Sequence, residues 1–352
     1  MSYKNGLSAL HLEMPDKIPR TEYSAHFYWD LIQKVTGIQV NSDSCTETQK
    51  KASREFIKIW DYGLFWNVLP FSEQFGELRT RMGHANFAQN GTDFSDNVHT
   101  FIEEPEDVYD FDFFEAYGNR PLPLLTQTFN ENYKQMHDAH PDTVNMTGIY
   151  TTCMSGVIEI LGWDMLLLAA GIDSDEFGSF MNRYAEWNMQ YFKALAHSDS
   201  PVVMVHDDIV WTQGAFLHPD FYREYIFPNY KKLFAPLHES GKIILYTSDG
   251  TYSEFIDDIA SCGINGFVME PTTDMEYICK KYGQTHSIIG NADTRILLKG
   301  SKEDIEREVK RCTDLGRNCP GYFLAVGNHI PSNTPLDNCL WYNDMYEKYS
   351  RR

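Results

Sequence analysis

Residues 241–293 read GKIILYTSDGTYSEFIDDIASCGINGFVMEPTTDMEYICKKYGQTHSIIGNAD. Three short β-rich apolar runs stand out, Ile243–Thr247, Gly266–Glu270 and Ser287–Asn291, with an amphipathic helical pattern over Tyr252–Ser261 after the first. Runs that are apolar on both faces and alternate with helical segments belong to a parallel sheet covered by helices.

The same pattern extends in both directions. Met146–Tyr150 and Val202–His206 precede the stretch and Tyr322–Val326 follows it, separated by helical patterns at Gly156–Ala170, Phe221–His238 and Lys302–Cys312. Ser301 is placed to cap the last of these, with Glu303 and Asp304 in its first turn. Two further runs, Trp66–Leu69 and Thr80–His84, bring the strands to the eight of an α/β fold of the (β/α)8 TIM-barrel type with a helical N-terminal elaboration. The competing open, doubly wound sheet lacks the GxGxxG loop that would follow an early strand. No linker, low-complexity tract or short repeat divides the chain. It reads as one domain over 1–352, with a helical extension at 1–64 and the barrel at 65–352.

Composition narrows the function. Fifty acidic against 30 basic side chains leave a net charge of −20 over 352 residues, a poor match to a phosphate backbone, so no nucleic-acid partner is expected. With 42% hydrophobic and 14% aromatic residues there is ample material for a core, which excludes a disordered chain. The first 20 residues lack the basic-then-apolar pattern of a signal peptide, and no uninterrupted apolar run approaches the ~20 residues of a membrane span. A cytoplasmic protein without membrane contact is expected. The seven cysteines are scattered without a CxxC pair and read as buried small hydrophobes, not as a disulfide framework or zinc knuckle.

A barrel builds its active site at the carboxyl ends of its strands. Here those ends carry His206-Asp207-Asp208, Thr247-Ser248-Asp249-Gly250, Glu270-Pro271, Asn291-Ala292-Asp293 and Gly327-Asn328-His329. Five successive strands therefore aim carboxylates or imidazoles at one mouth, a concentration that packing does not require. Each residue also has a structural reading: Asp207 or Asp208 as a helix cap, Asp249-Gly250 as a turn pair, His329 as a hydrogen-bonded loop residue. Glu270 is harder to treat this way, since a carboxylate at the rim of the core needs a partner. Histidines of the N-terminal part, His26 and His84 after Gly83, read as ordinary hydrogen-bonded residues that could also line the site.

The segments DDIVWTQGAFLHPDFYREYIFPNYKKLF (207–234), TSDG (247–250), GNADTRILLKGS (290–301) and GYFLAVGNHIPSNTPLDN (321–338) resemble the uroporphyrinogen decarboxylase superfamily. That superfamily contains the haem-pathway decarboxylase and the corrinoid-dependent methyltransferases, and its fold is a (β/α)8 barrel. The resemblance covers residues 145–350 well and the N-terminal part loosely. The decarboxylase carries an Arg-rich N-terminal motif that holds the substrate's carboxylates, whereas the equivalent IPRTEYSAHFYWDLIQ here offers only Arg20. An acidic chain with so few arginines is a poor host for a polycarboxylate. The methyltransferases that act on coenzyme M hold zinc with a His-x-Cys-Gly motif and a later Cys. This chain has Ser248-Asp249-Gly250 at the first position and falls near His329 at the second, so both thiolates are missing.

Cobalamin-independent methionine synthase resembles this barrel and has a carboxylate ligand where Glu270 stands. The resemblance thus implies a metal site, expected to be zinc, made of Asp249, Glu270 and His329, with His206 as a replacement. A metal on carboxylates and imidazole is more electron-poor than one on thiolates and suits activation of an ether oxygen. The implied activity is the first methyltransferase of an O-demethylase system: a methyl group moves from a small-molecule methyl donor, an aromatic methyl ether, to the Co(I) of a separate corrinoid protein, giving methylcobalamin there. Asp208 and Tyr246 are the expected proton donors, with Asp293 and Asn328 as further catalytic residues. Tyr150, Met154, His206 and Trp211 are expected to bind the substrate. The chain lacks the Asp-x-His-x-x-Gly signature of a corrinoid-binding domain, so the cofactor must arrive on a partner.

Overall fold

The computed structural model describes residues 2–69, 71–80 and 101–352. The strands are β1 (Leu64–Phe65), β2 (Val144–Asn145), β3 (Thr147–Ile149), β4 (Val202–His206), β5 (Val210–Trp211), β6 (Gly214–Ala215), β7 (Ile243–Thr247), β8 (Gly266–Val268), β9 (Ser287–Ile289) and β10 (Tyr322–Phe323). The main sheet runs β10-β9-β8-β7-β4-β3, all parallel, and β1 pairs in parallel with β2. A bridge between Leu69 and Ile149 joins these two sets, and Arg20 bridges both Tyr62 and Leu324. The wall thus closes on itself as an α/β barrel, the fold expected from the alternating pattern.

Closure corrects two details. The position expected for Thr80–His84 is filled instead by the chain around Arg20, whose carbonyl accepts the Gly63 N–H while Leu324 donates to Pro19 O and Thr21 to Leu324 O. A rung of the wall therefore lies inside the 1–64 stretch read as a helical extension. Thr80 is in no strand; it donates its N–H to Glu159 O, and 81–84, including Gly83 and His84, lie outside the described residues.

Strand alternation sorts the core into two layers. Val202, Met204, Leu245, Val268, Ile289 and Phe323 fill the barrel interior, with Ala9 and Leu10 of the helix Ser2–Leu10 packed against them. Val203, Val205, Ile244, Tyr246, Phe267 and Ile288 point outward into the layer beneath the helices. Burying each large side chain contributes about 1.5–3 kcal/mol. A one-residue slip would turn a whole strand inside out, so the register is strongly specified.

Long helices, among them Leu122–Ala139, Met154–Ile172, Ser174–Ala196, Phe227–Glu239, Lys302–Gly316 and Leu336–Tyr349, run outside the wall. Lys302–Gly316 opens with the expected Ser301 cap, closed into a capping box by Asp304. Met154–Ile172 is long and apolar enough to cross a membrane by length and composition, yet 67% of that window is buried in the protein, and non-helical Gly162 breaks it.

His26 packs into the apolar layer beside Phe65, which stacks on His140 at 4.2 Å. Burial, then the neighbouring His140, pushes the His26 pKa down to about 3. The unfolded chain therefore binds a proton from pH 6.5 downward that the folded chain refuses. Stability should fall by about 1.4 kcal/mol per pH unit below 6.5 from this residue alone. Urea unfolding at pH 7.5 and pH 5 checks this, and His26→Gln should flatten the slope by that amount.

Candidate active site

The barrel mouth holds a cavity of about 370 Å³, lined by Tyr23, Trp66, Val68, Tyr150, His206, Thr247, Ser248, Asp249, Gly327, Asn328 and His329. Most of these residues continue the inward parity of the strands. His206 follows Met204, Thr247 follows Leu245, Trp66 follows Leu64 and Gly327 follows Ala325, each at a step of two. No lysine or arginine is among these lining residues.

His206, Asp208 and Asp249 bring one ligand atom each to within 4.8 Å of one another. The His206 Nε2 lies 3.2 Å from Asp208 Oδ1, and its Nδ1 is buried without a hydrogen-bond partner. Asp208 also accepts the Asp249 backbone N–H on Oδ1 at 2.9 Å and the Tyr150 hydroxyl on Oδ2 at 3.2 Å. The Tyr150 ring sits over the His206 imidazole, with centroids 3.9 Å apart.

The three charges are unequal. Burial works against ionisation of His206, but Asp208 beside it raises the imidazole pKa, and the same pairing lowers that of Asp208 against its own desolvation. Asp249 is pushed up to about 7, first by desolvation and then by Asp208 and Glu270. An acid held back in this way by neighbouring carboxylates is a place where a cation is favoured.

Glu270, expected as a metal ligand, is engaged otherwise. Its Oε2 accepts the Gly250 N–H at 2.9 Å and its Oε1 accepts the Asn328 side-chain amide at 2.5 Å. His329 lines the cavity beside Tyr23, with ring centroids 6.3 Å apart, but is not in the close triad. Desolvation lowers its pKa, which keeps the ring neutral. Among the described residues the close set of ligand atoms is His206, Asp208 and Asp249, which shares Asp249 with the expected trio of Asp249, Glu270 and His329. Asn328 anchors this rim, since its Oδ1 also accepts the His329 N–H.

Gly250 has φ +79°, and a Cβ there would meet the Trp211 carbonyl oxygen at 2.5 Å. Only glycine lets the β7 loop pass under the β5–β6 hairpin while its N–H reaches Glu270. Gly250→Ala should lower stability by more than about 1 kcal/mol, seen as a lower urea midpoint at unchanged m.

Four residues singled out in the sequence lie elsewhere. Tyr246 follows Ile244 in the outward parity, and its hydroxyl donates to the Asp207 carbonyl, away from the cavity. Met154 is fully buried at the start of Met154–Ile172. Trp211 is 48% exposed on the β5–β6 hairpin, packed on Trp163 and Phe216 outside the cavity lining. Asp293 caps the helix Thr294–Lys299 and pairs with Arg295 at 2.7 Å. In the opposite direction, sequence reading missed Tyr23 and Trp66, which meet edge to face at 4.3 Å.

Asp207 is neither ligand nor cap of its own following segment. Fully buried and outward in parity, it accepts the Met154 and Ser155 N–H groups at 3.1 and 2.7 Å and the Tyr230 hydroxyl at 2.5 Å. In return, Ser155 Oγ accepts the Asp208 N–H at 2.8 Å. Burial pushes the Asp207 pKa up to about 6 against these hydrogen bonds, so the group stays ionised at neutral pH.

Arg20 does not face the cavity. It is fully buried, paired with Glu22 at 3.0 Å and packed on Trp60, Tyr342 and Tyr346. It ties the barrel seam together and offers nothing to a ligand in the mouth.

Comparison with known proteins agrees with this architecture. In the solved structure of a methyltransferase from Methanosarcina mazei the fold superposes with a TM-score of 0.65 over 99% of this chain and 98% of that one, at 16% identity. Curated relatives include the uroporphyrinogen decarboxylases of Syntrophotalea carbinolica, 24% identical over 177 residues covering 50% of each chain, and of Geobacter sulfurreducens, 22% identical over 178 residues covering 51% of each. The chain spans about half the length of the curated relatives it matches. The family model described as uroporphyrinogen decarboxylase (URO-D) matches residues 97–349, which hold β2 to β10 but not Tyr23 or Trp66 of the mouth, and the chain belongs to that family.

Proposed function

We propose that this protein transfers a methyl group from a methylated small molecule, an aromatic methyl ether, to the Co(I) of a corrinoid carried by a separate protein. The observation that carries the reading is the convergence of His206, Asp208 and Asp249, two of which, His206 and Asp249, line a cavity together with Tyr23, Trp66 and Tyr150. One imidazole and two carboxylates form a donor set suited to zinc. The His206 Nδ1, without a hydrogen-bond partner among the described residues, and the Asp249 carboxyl group, pushed up to about 7, fit a cation at this place. When bound there, the metal supplies Lewis acidity toward the leaving oxygen of the ether.

The chain's own residues do the rest. Tyr23, Trp66 and Tyr150 offer ring faces and edges to a flat substrate. Tyr150, its hydroxyl hydrogen-bonded to Asp208, replaces Tyr246 as the phenol placed to deliver a proton to the leaving oxygen. Asn328 and the Gly250 N–H hold the Glu270 carboxyl group in place near Asp249. The cavity opens at the mouth, where the cobalt of a docked corrinoid domain must approach the methyl carbon from the side opposite the leaving oxygen.

The cofactor-free decarboxylase alternative is disfavoured by charge. A polycarboxylate needs cationic partners when desolvated, whereas the described lining presents the Asp249 carboxyl group and no lysine or arginine, and Arg20 is spent in the core. Calorimetric zinc titration of chelator-treated protein, followed by mixing with a methoxylated aromatic and Co(I) cobalamin, tests the proposal. Near-stoichiometric zinc and zinc-dependent appearance of the methyl-Co(III) spectrum are expected. Failure of zinc to bind sinks the reading.

A further inference from the structure

The mouth is matched to a cation more broadly than a metal site requires. Tyr23 and Trp66 pack edge to face on one side, and Tyr150 lies over His206 on another. The Asp249 carboxyl group lines the same cavity, and the Glu270 carboxyl group is held close to it through the Gly250 N–H. His206, 7% exposed, lines the cavity beneath the Tyr150 ring. Aromatic faces backed by carboxylates recognise quaternary ammonium groups through cation–π attraction and long-range charge. We propose that the metal-free mouth binds a quaternary ammonium compound and presents one of its N-methyl groups as a methyl donor, with Tyr23, Trp66 and Tyr150 around the cationic head and Asp249 as counter-charge.

The binding claim stands on the cavity itself; the donor role rests on the methyl-transfer reading above. The chemistry differs from that of an ether in one respect. Co(I) supplies the electron pair of the new Co–C bond and becomes Co(III), while the C–N bond pair stays on nitrogen. The leaving group is then a neutral tertiary amine, so neither a Lewis acid nor a proton is needed. A site that must neutralise a cation in place of polarising an oxygen can work with its carboxylates free.

Choline chloride is the probe, with its uncharged tert-butyl isostere as control. Titrated calorimetrically into chelator-treated wild-type protein, choline should bind saturably and at least about tenfold tighter than the isostere. Zinc should compete with it, and Trp66→Leu should weaken choline about tenfold while Trp66→Phe retains most of the affinity. Addition of Co(I) cobalamin should then yield methyl-Co(III) without added metal. Equal affinity for choline and isostere, or no choline binding by protein that still binds zinc, overturns this inference and leaves the metal-based reading intact. Binding with no methyl-Co(III), in protein that demethylates a methoxylated aromatic with zinc, overturns the donor role. Failure of zinc, ether and choline alike removes both.

Discussion

Asp249→Asn should weaken zinc binding by about two to four orders of magnitude and lower methyl transfer in proportion, while His329→Ala should leave zinc stoichiometry unchanged. The expectation follows from the geometry: Asp249 shares the close triad with His206 and Asp208, and His329 does not. Removing one charged member of a partly buried cluster costs about 3–5 kcal/mol, which is that factor in affinity. His206→Ala should behave like Asp249→Asn. Glu270→Gln should give a smaller loss, because its oxygens hold the Gly250 N–H and Asn328, and losing a group that only orients the ligands costs about 10- to 100-fold. Elemental analysis of the four variants after gentle purification decides. Zinc lost from His329→Ala and Glu270→Gln but kept in Asp249→Asn would restore the ligand set expected from the family resemblance and refute the triad.

Asp207→Ala should be the most destabilising single substitution near the site. Its carboxylate satisfies two backbone N–H groups at the start of Met154–Ile172 and the Tyr230 hydroxyl on Phe227–Glu239, all in a fully buried position. Leaving those donors unpaired should cost about 3–5 kcal/mol, a large share of a typical domain's 5–15 kcal/mol. Urea unfolding measures the loss. Hydrogen exchange should localise it to the first turn of Met154–Ile172, with Ser155 and thus Asp208 released from register. An unchanged midpoint in Asp207→Ala would mean the helix start is held by other contacts.

The barrel was legible because its strands are short, apolar on both faces and punctuated by helical periodicity. Val202–His206 and Ile243–Thr247 fall on their expected boundaries. The seam was not legible. Arg20 bridges Tyr62 and Leu324 through single backbone pairs, too short a run to show strand periodicity. It also carries a buried charge whose compensation by Glu22 and Asn343 involves a residue more than three hundred positions away.

Within the site, the chain order of residues set which of them could reach the mouth. Side chains alternate along a strand, so His206 and Asp208 face in while Asp207 faces the helices, and Tyr246 is turned away by the same rule that brings Thr247 in. That alternation follows from residue order alone and turns Tyr246 outward with Ile244. Distances between strands do not follow from it. Whether Asp249 would meet His206 and Asp208 or Glu270 and His329 depends on barrel stagger, on the left-handed Gly250, and on hydrogen bonds that engage the Glu270 carboxylate. Local periodicity follows from residue order because neighbouring backbone geometry is short-ranged. The pairing of ligands follows from how eight strands close, and no stretch of sequence contains that angle.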